Sequence, residues 1–435
     1  MARLGMARAL TALAALALGA GGGAVAQQPG ETTLYRGGQV WTGSGFEQRD
    51  LAVRDGRFVA ATRGARVVDI GGQFVVPAYA NAHVHLTGRS DAANASFLDH
   101  GVYYAWNPNT LELGDEYRAF FARPDTYDAA VAQGGITEPG GHPESIYVRW
   151  LGPRLYPDRT LEDFLGDAFH YGRTPAEIDA ALDRLVAQQA DFVKGYLLYS
   201  EEYEARRDDE RFYGYHGLNP ANARYLVEAA RRRGLPVAFH VDTAADLVVA
   251  AEAGAAIAAH LPGYTLMNSA YSAQGMSFDP GSLPARTLTA AQARIVAASG
   301  MMLTPTYSLL AAHYREATSP ADLQAYAAQR AVQAANLRQL AEAGGVFLIG
   351  TDSEAQVFDE IEYLDGLRVF PREQLLRIAL ETGRRMFPAR RIGCFDVGCE
   401  ADFLTLRENP MQDLRALRTI ETRIKAGRAL PAPAG

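Results

Sequence analysis

Between residues 78 and 388 the chain alternates strand-like and helix-like segments, and this alternation restricts the fold more than any other feature. The clearest unit is GLPVAFHVDTAADLVVAAEAGAAIAAHLPG. Pro236 to His240 is a short apolar run bounded by turn residues, as expected of a buried strand. A helical pattern begins at Thr243, with apolar residues at 247, 248 and 251, and Gly254 ends it. A second strand, Ala255 to His260, follows at once. The same texture recurs in ARYLVEAARRRG, TAAQARIVAASGMMLTPTYS and ANLRQLAEAGGVFLIGTDS. Repeated strand–helix alternation builds a parallel sheet, and this many units predicts an α/β fold closed as a (β/α)8 TIM-like barrel. A doubly wound open sheet is the alternative. No Gly-rich phosphate loop follows the first strand, which counts against a dinucleotide-binding domain.

The two chain ends differ from this middle. From Thr32 to about Val76, short alternating runs are punctuated by Gly and Asp-Gly, and RIGCFDVGCEADFLTL and TRIKAGRAL repeat that pattern near the C-terminus. Neither end alone has enough apolar surface for a stable domain. Residues 27–77 and 389–435 are therefore expected to form one small β-sandwich that brackets a barrel of residues 78–388. With 48% hydrophobic and 21% charged residues, the chain should have a well-packed core. The net charge of -8 and the absence of Lys/Arg clusters interleaved with aromatics speak against nucleic acid as a partner. An oligomer is compatible with this composition.

Residues 1–26 read as a secretory signal peptide: Arg3 and Arg8, an Ala/Leu-rich run, then Ala24-Val25-Ala26 before Gln27. The alternative is a retained anchor, but the apolar run is short for a membrane span and Gly-rich at its end. A periplasmic or secreted protein with no stable membrane insertion after processing is expected. Losing Arg3 and Arg8 would take the net charge from -8 to -10. Export gives meaning to the two cysteines, Cys394 and Cys399, whose spacing with Gly398 suits a disulfide across a tight turn. Unlinked thiols are the alternative, because spacing does not determine S–S geometry.

Barrel chemistry gathers at the C-terminal ends of the strands. FVVPAYANAHVHLTG ends the first barrel strand with His83 and His85, two residues apart and so on one face of an extended chain. ADFVKGYLLYS carries Lys194 in apolar company; PVAFH ends at His240, AAIAAH at His260 and VFLIGTD at Asp352. Each alone has an ordinary reading. A strand-end His is often a hydrogen-bonded core residue, Asp352 could cap a helix, and Lys194 could reach out to water. All six at predicted strand ends point to a metal site.

With these residues in place, the chain resembles the amidohydrolase superfamily of metal-dependent hydrolases, in particular its binuclear subgroup with a carboxylated lysine on strand four. The resemblance covers essentially the whole mature chain: both flanking strand segments, AHVHL, Lys194, His240, His260, the GTDS around Asp352, and ETGRRMFPARRIGCFDVGCEADFLTL. It implies a distorted barrel with a β-sandwich from both chain ends, and two divalent ions, expected to be Zn2+. By position, His83, His85 and Asp352 would hold the more buried ion and His240 and His260 the more exposed one. A CO2-derived carbamate on Lys194 would bridge them. A water between two cations ionises near neutral pH, and Asp352 would carry its proton to the leaving nitrogen. One departure stands out. The family's Pro-Gly-x-x-Asp before the two histidines is Pro77-Ala78-Tyr79-Ala80-Asn81 here, which removes a charge beside the ligands.

A long aromatic-rich segment, ITEPGGHPESIYVRWLGPRLYPDRTLEDFLGDAFHYG, separates the third and fourth predicted strands. Long loops on this face shape or cover pockets, so His142, together with Tyr196 and Tyr199 after Lys194, is a candidate to contact substrate; surface packing is the alternative for each. His100, His170, His216 and His313 have no comparable placement. The leading expectation is an exported hydrolase of the amide bond of a small-molecule substrate, such as a dipeptide. The competing readings are a phosphoester or lactone hydrolase on the same site, and a non-catalytic metal-binding or sensing protein. The bridging lysine counts against the single-metal deaminases.

Overall fold

Apolar residues at alternate positions drive residues 33–77 into a run of strands. The computed structural model describes residues 30–85, 91–111, 113–114, 116–264, 282–309, 319–353 and 356–431, so the expected signal peptide at 1–26 lies outside it. Five strands, β1 (Thr33–Trp41), β2 (Phe46–Arg54), β3 (Arg57–Val59), β4 (Arg66–Asp69) and β5 (Phe74–Pro77), come first. The barrel strands follow: β6 (Tyr79–Asn81), β7 (Val102–Asn107), β8 (Asp128–Val131), β9 (Gly135–Thr137), β10 (Phe169–Tyr171), β11 (Val193–Tyr196), β12 (Val237–His240), β13 (Ile257–Ala258), β14 (Met302–Leu303) and β15 (Val346–Phe347). The chain returns through β16 (Phe403–Leu406), β17 (Ile420–Lys425) and β18 (Arg428–Ala429).

The two ends of the chain share one eight-stranded sheet, in the order β18-β17-β16-β5-β1-β2-β3, with β4 beside β1. The seam between them is antiparallel, Leu404 opposite Val76 and Thr405 opposite Val75. Aromatic side chains from both ends lock it: Tyr35 meets Phe403 edge-on at 5.1 Å, and Phe58 touches Phe395 and Phe403. Cys394 and Cys399, on the turn leading into β16, are joined as a disulfide with Cα atoms 6.0 Å apart.

All barrel strands run parallel, in two sets, β6-β7-β8 and β10-β9-β11-β12-β13-β14-β15. Backbone hydrogen bonds close both seams. Ala82 N donates to Ile349 O at 2.8 Å and Thr351 N to His83 O at 3.1 Å, joining the first strand to the last. On the other side Asp191 N donates to Val131 O at 2.8 Å, and Gly195 of β11 sits opposite Ile136 of β9. β8 and β9 thus act as two halves of the third strand, bent at Gln133, whose φ is +60°. The result is the TIM-like barrel with a β-rich domain built from both chain ends.

The helix between β12 and β13 shows how local chemistry sets this pattern. Thr243 caps it by accepting from Asp246 N, Asp246 reciprocates in a capping box, and Gly254 ends it at φ +80°. The segment between the third and fourth strands is not a bare loop. It holds a π-helical turn, Ile146–Leu151, two short helices and the extra strand β10, around a small core of Tyr147, Phe164, Ala168 and Phe169. Among the described residues, no helix is long and apolar enough to cross a membrane.

Candidate metal centre

Closing the barrel brings the strand ends together. His83 Nε2 and His85 Nε2 lie 3.3 Å apart, and Asp352 Oδ1 is 3.0 Å from the first and 3.1 Å from the second. These three side chains form the one group of three or more His, Cys, Asp or Glu residues, among the described residues, with ligand atoms close enough to hold a common ion. Asp352 reaches this point through a left-handed backbone, φ +57°, while its own N–H donates to His83 O at 2.9 Å. Such a conformation is unfavourable for a non-glycine residue and persists where surrounding bonds determine it. Gly350 supplies the clearance: a Cβ there would lie 2.8 Å from His83 N and 2.5 Å from Thr304 Cγ2.

The remaining candidates line the same mouth. The His260 ring is 4.4 Å from His83 and 4.6 Å from His240, centroid to centroid, and its Nδ1 lies 3.9 Å from Asp352 Oδ2. Lys194 is buried on β11 with its Nζ 5.6 Å from the Tyr196 ring centroid. Burial pushes its pKa down to about 7, against the pull of Asp352. Burial likewise depresses His83 to about 4, and takes His240 and His260 well below the usual imidazole range. Burial works the other way on Asp352, while a proton on His83 or His260 pulls its carboxyl well below the ordinary value.

The second nitrogen of each ring decides what the first can do. His83 Nδ1 donates to Ala259 O at 2.7 Å, and His85 Nδ1 to Asn109 O at 3.0 Å. A carbonyl oxygen only accepts, so the proton of each neutral ring sits on Nδ1 and the lone pair on Nε2. Two imidazole lone pairs and an anionic oxygen therefore face one another within 3.3 Å, a donor set that suits a divalent cation. His260 Nδ1 is 2.8 Å from Thr306 Oγ1, and His240 Nε2 is 3.1 Å from Tyr264 Oη. The residues present fit a metal site.

Asn81 connects the two strands that carry this group. Its Oδ1 accepts from His83 N at 3.1 Å and from Thr351 N at 3.2 Å, while its Nδ2 donates to Thr351 Oγ1 at 2.9 Å. Thr351 Oγ1 in turn donates to Ser353 O at 2.7 Å. An aspartate would keep the two backbone acceptor contacts but could not donate to that hydroxyl. The substitution is thus part of a local bonding scheme rather than a bare loss of charge.

The three substrate-contact candidates separate. His142 stacks against His240, centroids 4.4 Å apart, and lies 5.2 Å from Tyr196; burial depresses its pKa to about 3. Its loop is pinned by His142 N donating to His216 O at 2.9 Å and by Glu144, whose carboxylate accepts from Gly140 N at 2.8 Å. Tyr196 is buried between His142 and His240 and crosses toward Gly135, where a Cβ would come 2.5 Å from its ring. Tyr199 turns elsewhere. Arg206 lies 3.4 Å over its ring, and Arg286 donates to its hydroxyl at 2.8 Å while pairing with Asp242. Sequence reasoning missed Thr306 and Tyr264, the partners of His260 and His240. Their only signal is the tail of each strand motif, LTPTYS and AAHLPGY, which singles out neither residue.

No curated protein matches this chain. Solved structures do. A Xaa-Pro dipeptidase with bound methionine in its active site superposes with a TM-score of 0.67 at 16% identity, covering 92% of this chain and all of that one (100%). The A. niger ochratoxinase gives 0.68 at 15% identity, covering 94% and 97% of the two chains. Molinate hydrolase gives 0.65 at 15% identity, covering 93% and 96%. At such identities these likenesses speak to the fold. The family model described as "Amidohydrolase family" matches residues 144–430, well over half of the sequence and including Lys194, His240, His260 and Asp352. The chain therefore belongs to the amidohydrolase family, hydrolases that act on carbon–nitrogen bonds.

Proposed function

We propose that the protein is an exported two-metal amidohydrolase that cleaves the amide bond of a small substrate, with dipeptides and related amides as the substrate class. One observation carries the reading: six ligand-type side chains from five barrel strands meet at one barrel mouth, with a single buried lysine among them. His83, His85 and Asp352 would hold one ion, and His240 and His260 the other. Divalent ions at such a site, expected to be zinc, lower the pKa of a water and polarise a carbonyl.

The chain's own residues supply the rest. A buried ammonium at Lys194 would oppose two cations, whereas its neutral amine can add to CO2. A C–N bond forms as one C=O π bond of CO2 opens onto oxygen, the nitrogen gives its proton to water, and the side chain becomes a two-oxygen anion that could hold both ions. The Asp352 carboxylate, ionised and fixed by the strand seam, accepts a proton from the attacking water and returns it to the leaving nitrogen. His142, kept neutral by burial and resting on His240, offers a ring N–H to the substrate carbonyl, and Tyr196 walls that side. The similarity to a Xaa-Pro dipeptidase, a structure of matching length, supports the dipeptide class.

The test uses protein secreted by a Gram-negative host. Its intact mass should place the first residue near Gln27, metal analysis should find two zinc ions per chain, and a panel of dipeptides and N-acyl amino acids should contain substrates. Turnover confined to phosphoesters or lactones would replace the leaving group proposed here. Two bound ions with no turnover on either panel would favour a metal-binding role.

A further inference from the structure

We infer that Tyr264 is a positioning residue for the second metal ion, acting through His240; this rests on the two-metal reading above. Tyr264 touches both histidines of that half-site. Its hydroxyl lies 3.1 Å from His240 Nε2, and its ring stacks on His260 at 4.2 Å with 15° between planes. In the tautomer that offers the Nδ1 lone pair to a cation, His240 Nε2–H donates to this phenol oxygen, and the bond holds the ring in that orientation. The same ring limits the tilt of His260, whose Nδ1 is bound to Thr306.

Tyr264 is itself held from a distance. It follows a turn at Gly263, φ +94°, that a long helix, Pro320–Glu342, grips through three amide side chains. Gln329 Nε2 donates to Tyr264 O at 3.1 Å, Gln333 Nε2 to Gly263 O at 2.9 Å, and Asn336 Nδ2 to Pro262 O at 2.8 Å. All three amides are buried on one helix face, and each satisfies a carbonyl of the Pro262–Tyr264 turn. Three buried amides holding one turn is more than chain reversal requires. Their common effect is to fix where the Tyr264 ring and hydroxyl stand.

The experiment is zinc titration of the metal-free protein against a competing chelator, with melting curves as a folding control. Tyr264→Phe keeps the stack on His260 and removes only the hydroxyl. It should weaken one of the two zinc equivalents roughly 10- to 100-fold and leave the other unchanged. Tyr264→Leu, which also loses the stack, should weaken the same equivalent further. In a His240→Asn background Tyr264→Phe should add nothing, because the residue it acts through has gone. Wild-type affinities in Tyr264→Phe, tighter binding, or an undiminished effect in the His240→Asn background would overturn the inference while leaving two-metal hydrolysis standing. A wild-type protein that takes up only one ion would overturn the two-metal reading and this inference with it.

Discussion

The two halves of the candidate site are built differently. His83 and His85 are oriented by backbone carbonyls, Ala259 O and Asn109 O, and Asp352 by the backbone of His83 itself. His240 and His260 are oriented by side chains, Tyr264 and Thr306, that sit on the segments after their strands. Backbone anchors, on the segments just past β13 and β7, are main-chain carbonyls that no single side-chain substitution removes. Side-chain anchors on connecting segments can be changed one at a time and open more readily. The first half is thus held by main-chain atoms, and the second is where affinity and substrate fit can be tuned.

The largest effect should come from the residue proposed to join the halves. Lys194→Ala should bring turnover to background and strip metal, and added short carboxylic acids should restore part of the activity by occupying the bridge. Asp352→Asn should lose about 10²- to 10⁴-fold in kcat while keeping more metal than Lys194→Ala, because it removes a proton carrier and weakens a single ligand. Metal content and kcat measured together separate the two. Two ions and a near-normal rate in Lys194→Ala would mean that the halves are joined by another group.

A smaller effect tests whether support for the second half depends on pH. Glu360 is buried and accepts from Tyr307 N at 3.1 Å and Ser308 N at 2.7 Å, directly after the Thr306 that holds His260. Burial raises its pKa from 4.5 to about 7, and the two backbone N–H groups only partly offset this. An acid with a raised folded pKa contributes most below its unfolded pKa, and stability then falls as pH rises through the folded value. Denaturant unfolding should therefore lose up to about 3 kcal/mol from this group between pH 4.5 and 7, and Glu360→Gln should flatten that slope. A slope unchanged in Glu360→Gln would mean that the carboxylate ionises normally in the folded protein.

The smallest expected effect lies in the first half. Asn81→Ala leaves the N–H of His83 without its acceptor and Thr351 N with His83 O alone, at a cost of roughly 1–3 kcal/mol. Asn81→Asp keeps those contacts and should cost less. If Asn81→Ala melted like the wild type, the seam would not depend on this residue, and the contrast between the halves would weaken.

Much of this was readable from the amino acids, because the relevant signals are local. Alternation of strand and helix, the capping Thr243 and the stop at Gly254 lie within short windows, and they are enough to predict a barrel and to place ligand-type residues at its strand ends. His142 was singled out for its long aromatic segment, and it does rest against His240. Tyr199 is a candidate by its nearness to Lys194, yet it faces Arg206 and Arg286, because it lies past the end of β11 at a left-handed backbone position, φ +54°. Position along a strand predicts side-chain direction only while the strand lasts.

The sequence by itself determined which side chains stand at the barrel mouth. Only the tertiary structure decided how each ring is held there. That hold depends on the atom opposite one ring nitrogen, and those atoms come from far along the chain: Ala259 for His83, Thr306 for His260, and for His240 the Tyr264 that Gln329 holds in place. Such partners meet only when the barrel closes, so no periodicity or spacing within one segment can encode them.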